Sequence, residues 1–128
     1  YVMKVDAETG IVTHGIRVGT GTDAPTVNDV QLGIPILHGS GAGELSHGAV
    51  TLDTLQVAGG TVSLKIIRTF TNNSGSSIDV KELGLHNLVG YAYNSNATIM
   101  IARDVLGSPV TVPNGATLTV RYILSTTV

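Results

Sequence analysis

The residues most open to chemistry in this chain are four histidines, His14, His38, His47 and His86. An imidazole can ligate a metal or move a proton near neutral pH. Zinc sites bring their ligands in close pairs, whereas these four lie far apart in sequence. His38 and His47 flank a Gly-rich run with Glu44 between them, so a His38–Glu44–His47 cluster is the one metal arrangement the spacing permits. No further residues are patterned to orient those rings, and the reading adopted is that no metal is bound. His14 sits among apolar neighbours, where a hydrogen-bonded core or interface histidine is the simpler account.

Nucleophilic chemistry has less to stand on. Ser40, in Gly39-Ser40-Gly41, lacks the strand-to-helix setting of a nucleophile elbow, and no Gly-x-Ser-x-Gly occurs. The nine acidic residues do not cluster as a glycosidase pair would. Cysteine is absent, which removes disulfides, thiolate ligands and cysteine nucleophiles together. The two glycines of Gly19-Thr20-Gly21 precede neither a Lys-Ser/Thr pair nor a helical pattern, so they read as a connector rather than a phosphate cradle. The expectation is a non-enzymatic protein without cofactor.

Tyr91 and Tyr93 share a strand face if the chain is extended there, and could stack a sugar. An interface contact is the preferred reading, because tyrosine joins an apolar body to a polar tip. Tyr1, Met3 and Val5, alternating along the N-terminal segment, join them as expected assembly contacts. Four charges, Arg68, Glu82, Arg103 and Asp104, are embedded in apolar surroundings. By parity, Arg68 points to the core side with Ile66 and Phe70, and Glu82 does so with Val80. An Arg68–Glu82 ion pair across a hairpin would satisfy both and fix the register.

The element that would position them is Val62 to Leu85. Val62, Leu64, Ile66 and Phe70 alternate with polar residues, the period of a half-buried strand. Asn72-Asn73-Ser74-Gly75-Ser76-Ser77 then reverses the chain into Ile78 to Leu85. The pattern predicts a long hairpin with one apolar face, which needs other strands to cover it. Thr117 to Leu124 is the strongest of these, entered through the turn Pro113-Asn114-Gly115.

The rest of the chain is short strands and turns. Strands are expected over Tyr1–Val5, over Ile11–Val18 with Gly15 as a bulge or close backbone contact, over Glu44–Leu55 and over Thr98–Ala102. Val27 to Leu32 reads as a single helical turn or an irregular strand, and Ile34, Ile36 and Leu37 as pins to the core. Gly19–Thr26 and His38–Glu44 read as flexible loops. The 128 residues fit one domain, residues 1–128, with an all-β fold: an antiparallel two-sheet β-sandwich, immunoglobulin-like or jelly-roll-like, of about seven to nine strands with little or no helix.

Composition narrows the partners. Only 12% of residues are charged, the net charge is −2, and the seven basic residues are scattered singly, which argues against nucleic acid. No apolar run approaches the roughly 20 residues of a membrane-spanning helix. The chain opens on Tyr1 rather than Met, pointing to a start that has been processed, trimmed or left out.

Five stretches together resemble a group of tailed-bacteriophage virion proteins found among head and tail components. They are Val18-Gly19-Thr20-Gly21-Thr22 with Ala24-Pro25-Thr26, Arg68 to Gly75, Val80 to Leu85, Ala102-Arg103-Asp104-Val105, and Val112 to Val120. The resemblance implies a virion subunit, such as a capsid decoration, neck, tail or fibre module, that packs against copies of itself and other particle proteins. It carries over no catalytic residue. Two other classes remain open: an extracellular filament or surface-layer subunit that donates Tyr1–Val5 to its neighbour, and a carbohydrate-binding module using Tyr91 and Tyr93.

Overall fold

Burying one face of every alternating segment requires two sheets, and the computed structural model, which describes residues 2–90 and 96–127, provides them. Among the described residues nine strands form: β1 (Val2–Lys4), β2 (Gly15–Gly19), β3 (Ser46–His47), β4 (Thr51–Leu52), β5 (Gln56–Ala58), β6 (Thr61–Thr71), β7 (Ile78–Gly90), β8 (Asn96–Val112) and β9 (Thr117–Thr127). All strand pairs are antiparallel, and no helix occurs among the described residues.

β7 is the centre of the first sheet. β8 lies along one side of it, while β2 and β1 follow one another along the other. β6 is the centre of the second sheet, with β9 along one side from Thr61↔Thr127 to Thr71↔Thr117. The short β5, β4 and β3 succeed one another along its other side. Ile16, Val18, Leu85 and Val112 of the first sheet meet Ile66, Phe70 and Val120 of the second, forming one core. The architecture is an antiparallel β-sandwich.

The expected hairpin is not one. β6 and β7 do not pair with each other; the chain between them crosses from one sheet to the other. Side-chain chemistry in the connector explains why. Buried Asn72 donates through Nδ2 to the carbonyls of Ser76 and Val112, and its backbone bonds to Ala116 and Gly115. These contacts lock the crossing against the β8–β9 turn. Two strands that each carry one apolar stripe then cover each other face to face rather than edge to edge.

Other boundaries also shift. The segment expected as a strand from Ile11 is extended only over Gly15–Gly19, where Gly15 has φ 82°. A Cβ there would press on Val50 and the Val5 carbonyl, so the close backbone contact is real. The strand expected over Glu44–Leu55 is two short pieces, β3 and β4. Thr98–Ala102 and Val110–Val112 belong to one strand, β8. It makes an excursion where two steps on β7, Val80 to Glu82, are matched by five on β8, Val110 to Val105. Of the three expected pins, only Ile36 is buried; Ile34 and Leu37 are exposed, and Leu32 is buried instead.

Candidate functional site

Most of the buried charge in this molecule ties loops to sheets. Arg68 on β6 is fully buried and faces the sandwich interior. Its Nε donates to the Gly48 carbonyl at 2.7 Å, Nη1 to Ile16 at 3.0 Å and His14 at 3.4 Å, and Nη2 to Ile11 at 2.6 Å and Glu8 at 3.4 Å. All five guanidinium hydrogens thus have acceptors, every one a backbone oxygen. The group also lies 5.8 Å from the Phe70 ring centroid, within cation–π range. Because no carboxylate offsets the loss of water, burial lowers its pKa to about 10, with repulsion from Arg17 adding to the effect.

Glu82 on β7 is equally buried but pairs elsewhere. Its partner is Arg103 of β8, whose Nη2 donates to Oε2 at 2.8 Å and whose Nε does so at 3.2 Å. Arg103 also holds Asp29 at 3.0 Å through Nη1. The Gly33 and Ile34 amides complete the set by donating to Glu82 at 3.1 and 2.9 Å. The expected Arg68–Glu82 pair is therefore replaced by two separate anchors. The reason is a change of face: Glu82 pairs across the ladder with Gly19, whose neighbour Val18 points into the core. Glu82 consequently faces away from the interior, and this coincides with the register shift between Val80 and Glu82.

The segment from Thr20 to Ile36 runs over that outer face as a strap. Its ends are pinned by backbone bonds, Thr20 to the Ile34 carbonyl and Ile36 to the Val18 carbonyl. Thr26 holds Asp29 through both its amide and its hydroxyl. Glycine is required beneath the strap: a Cβ on Gly19 or Gly21 would collide with the Glu82 carboxylate. The Thr26-x-x-Asp29 spacing, passed over in the sequence, and the apolar setting of Arg103 are the signals from which this anchor could have been read. Burial raises the Glu82 pKa, but the Arg103 bonds and the Ile34 and Gly33 amides outweigh it and hold the carboxyl below its ordinary value. Asp29 is lowered too, first by the Thr26 amide and then by Arg103.

His38 and His47 come together, their ring centroids 5.7 Å apart, but the four histidines do not form one cluster. His47 is buried in the core edge-on to Phe70 at 4.9 Å between ring centroids, with Nδ1 on the Leu45 carbonyl at 2.8 Å. Burial pushes its pKa down to about 4. His38 is exposed and accepts the His47 amide at Nδ1, 2.9 Å away. Glu44 accepts the Gly41 amide, and no group of three potential metal ligands assembles among the described residues. His14 is buried as expected, bonded to Thr13 at 3.0 Å. His86 is also buried, and burial takes its pKa to about 4.

The expected assembly contacts are only partly placed. Tyr1, Tyr91 and Tyr93 lie outside the described residues. Met3 pairs through its backbone with Val89, and Val5 is half-buried against the chain's own core. Sequence reasoning missed the flank where β8 and β9 run past each other. Among the described strands β8 pairs only with β7 and β9 only with β6, so each leaves one edge unpaired. Tyr122 on β9 donates to Asp104 on β8 at 2.9 Å, tying the two edges together. Above that bridge an open groove of about 220 Å³ is lined by Val80, Leu83, Leu106, Val110, Leu118 and Val120.

Fold and site together define an antiparallel β-sandwich whose outer loops are held by buried ionic anchors. No protein family, curated protein or solved structure matches this chain at a significant level.

Proposed function

We propose that this protein is a non-catalytic structural subunit of a bacteriophage particle, working by packing against copies of itself and other particle proteins. The observation that carries the self-association is the β8–β9 flank. Two unpaired strand edges lie together there, flanking an apolar groove, and such edges recruit further strands unless covered. The particle assignment rests on the five resembling stretches, three of which contain anchor residues: Arg68, Glu82 and Arg103. Anchored loops suit a subunit that must keep its shape within an assembly. Pairing of β1 with Leu88–Gly90 of its own chain supports packing of closed units over donation of Tyr1–Val5 to a neighbour.

Native mass measured from dilute to concentrated protein tests the reading. The expected result is a multiple of 13.2 kDa that reverts to the monomer in Val110→Asp, a substitution at a groove position already exposed. A 13.2 kDa species at every concentration that also fails to bind particle proteins would overturn it.

A further inference from the structure

The Gly-rich loop between His38 and His47 is closed at its neck by two imidazoles. The backbone supplies part of the closure: Leu45 donates to the Leu37 carbonyl, and Gly39 to the Leu45 carbonyl. The rings supply the rest. His38 stands edge-on to His47, and its Nδ1 lies 2.9 Å from the His47 backbone nitrogen. The His47 Nδ1 in turn lies 2.8 Å from the Leu45 carbonyl.

Each of these bonds dictates where a proton sits. A backbone amide only donates, so His38 Nδ1 must offer a lone pair and its ring hydrogen belongs on Nε2. A carbonyl only accepts, so His47 carries its hydrogen on Nδ1, and its buried Nε2 is a lone pair without a partner. A proton added to His38 would turn Nδ1 into a second donor aimed at the His47 N–H. The surroundings do not compensate such a charge. Burial, against the Leu45 bond, takes the His47 pKa to about 4, and the like charges of Arg68, His38 and Arg17 add to the effect. Glu44, the acid of the loop, accepts the Gly41 amide, and on the adjoining N-terminal segment Glu8 and His14 turn carbonyls to Arg68. No carboxylate lies within ion-pair distance of either ring among the described residues.

What the His38 ring covers is a strand edge. The His47 N–H and C=O point away from β6, and they are met by His38 Nδ1 and by the Gly10 amide at 3.0 Å. The ring can lie there because Gly10 has no side chain; a Cβ would stand 3.2 Å from His38 Nε2.

We propose that His38 is an acid-released latch on the outer edge of β3. Neutral, it caps the His47 amide and holds the loop neck closed; protonated, it lets go of both and turns into solvent. His38 is exposed, so a proton reaches it in the folded protein, and imidazole is the side chain that changes charge in mild acid.

The test is hydrogen exchange of the full chain, read amide by amide by NMR from neutral to mildly acidic pH beside the titration of the His38 ring. At neutral pH His38 Nδ1 should resonate as an unprotonated nitrogen. The protection factor of the His47 amide should then fall on the order of tenfold as His38 titrates, while amides of the β6–β9 ladder keep theirs. His38→Asn, whose Oδ1 accepts at any pH, should retain protection and lose the pH dependence. His38→Phe should be poorly protected throughout. Should either variant fail to fold, the wild-type comparison of the two sets of amides decides. Undiminished protection of the His47 amide through the His38 titration would overturn the latch. So would a loss in step with the β6–β9 ladder, which is global unfolding, or a wild-type pH curve in His38→Asn, which assigns the response to another group.

Discussion

Arg68 and Arg103 hold loops in the same way and with opposite chemistry. Arg68 gathers the carbonyls of Glu8, Ile11, His14, Ile16 and Gly48, drawing the N-terminal third of the chain onto the second sheet. Arg103 gathers the carboxylates of Glu82 and Asp29, drawing the strap onto the first. Carbonyls carry no charge to offset the cation, so the Arg68 pKa falls, while that of Arg103 is raised by its bonds to Glu82 and then Asp29. A buried cation is thus tolerated without a counter-ion provided every hydrogen finds an oxygen. The difference has a practical edge: carbonyls do not titrate, and carboxylates do.

The largest effect should follow removal of the carbonyl anchor. Arg68→Ala leaves five backbone oxygens of the interior without a donor and should cost on the order of 3–5 kcal/mol in urea unfolding at neutral pH. A loss below about 1 kcal/mol, as at an exposed site, would break the claim that the group is a hub. Glu82→Gln should come next, at about 2–3 kcal/mol, since it leaves Arg103 buried with only Asp29 as a charged partner. The two losses should respond differently to acid. Glu82 is held below its ordinary 4.5, so the stability it contributes is present above that value and disappears as pH falls through the folded pKa. The deficit of Glu82→Gln should therefore shrink at low pH, whereas the deficit of Arg68→Ala should not follow that titration.

A smaller acid effect should appear earlier, and it sharpens the contrast because it begins well above the range where the Glu82 anchor titrates. His47 and His86 are kept neutral by burial, with pKa values moved from 6.5 to about 4. The unfolded chain takes up these protons first, so stability is full above pH 6.5 and declines progressively toward pH 4. Urea midpoints measured across this window should fall with a shallower slope in His86→Gln. The least effect belongs to the bridge between the open edges. Tyr122→Phe removes one hydrogen bond to Asp104 and should cost about 0.5–1.5 kcal/mol in the same assay.

The alternation along Val62–Thr71 and Thr117–Leu124 made both strands legible; their pairing with each other was not foreseen, but their central place in the fold was expected. So was the burial of Arg68, because parity with Ile66 and Phe70 leaves no other face for it. The same parity argument failed for Glu82, where the register shift after Val80 turned the side chain to the outer face. A bulge has no side-chain signature of its own, and it inverts every later assignment on that strand. The strap was legible only in pieces, as a loop over Gly19–Thr26, a helical turn or irregular strand over Val27–Leu32, and pins to the core at Ile34 and Ile36. Its glycines, Gly21 and Gly33, are matched to a carboxylate on a strand far along the chain, at Glu82.

What the sequence determined by itself was local: which segments extend, where Pro113-Asn114-Gly115 turns them, which side chains seek the interior, and that no helix competes. These follow from backbone preference and periodic burial, which act over a few residues. Which strands become neighbours was settled only in three dimensions. Asn72 fastened the crossing between the sheets, and Arg68 and Glu82 each took oxygens or a cation supplied by distant parts of the chain. Acceptors for a buried charge are chosen by proximity after collapse, and that proximity is not written in the spacing of the residues that need them.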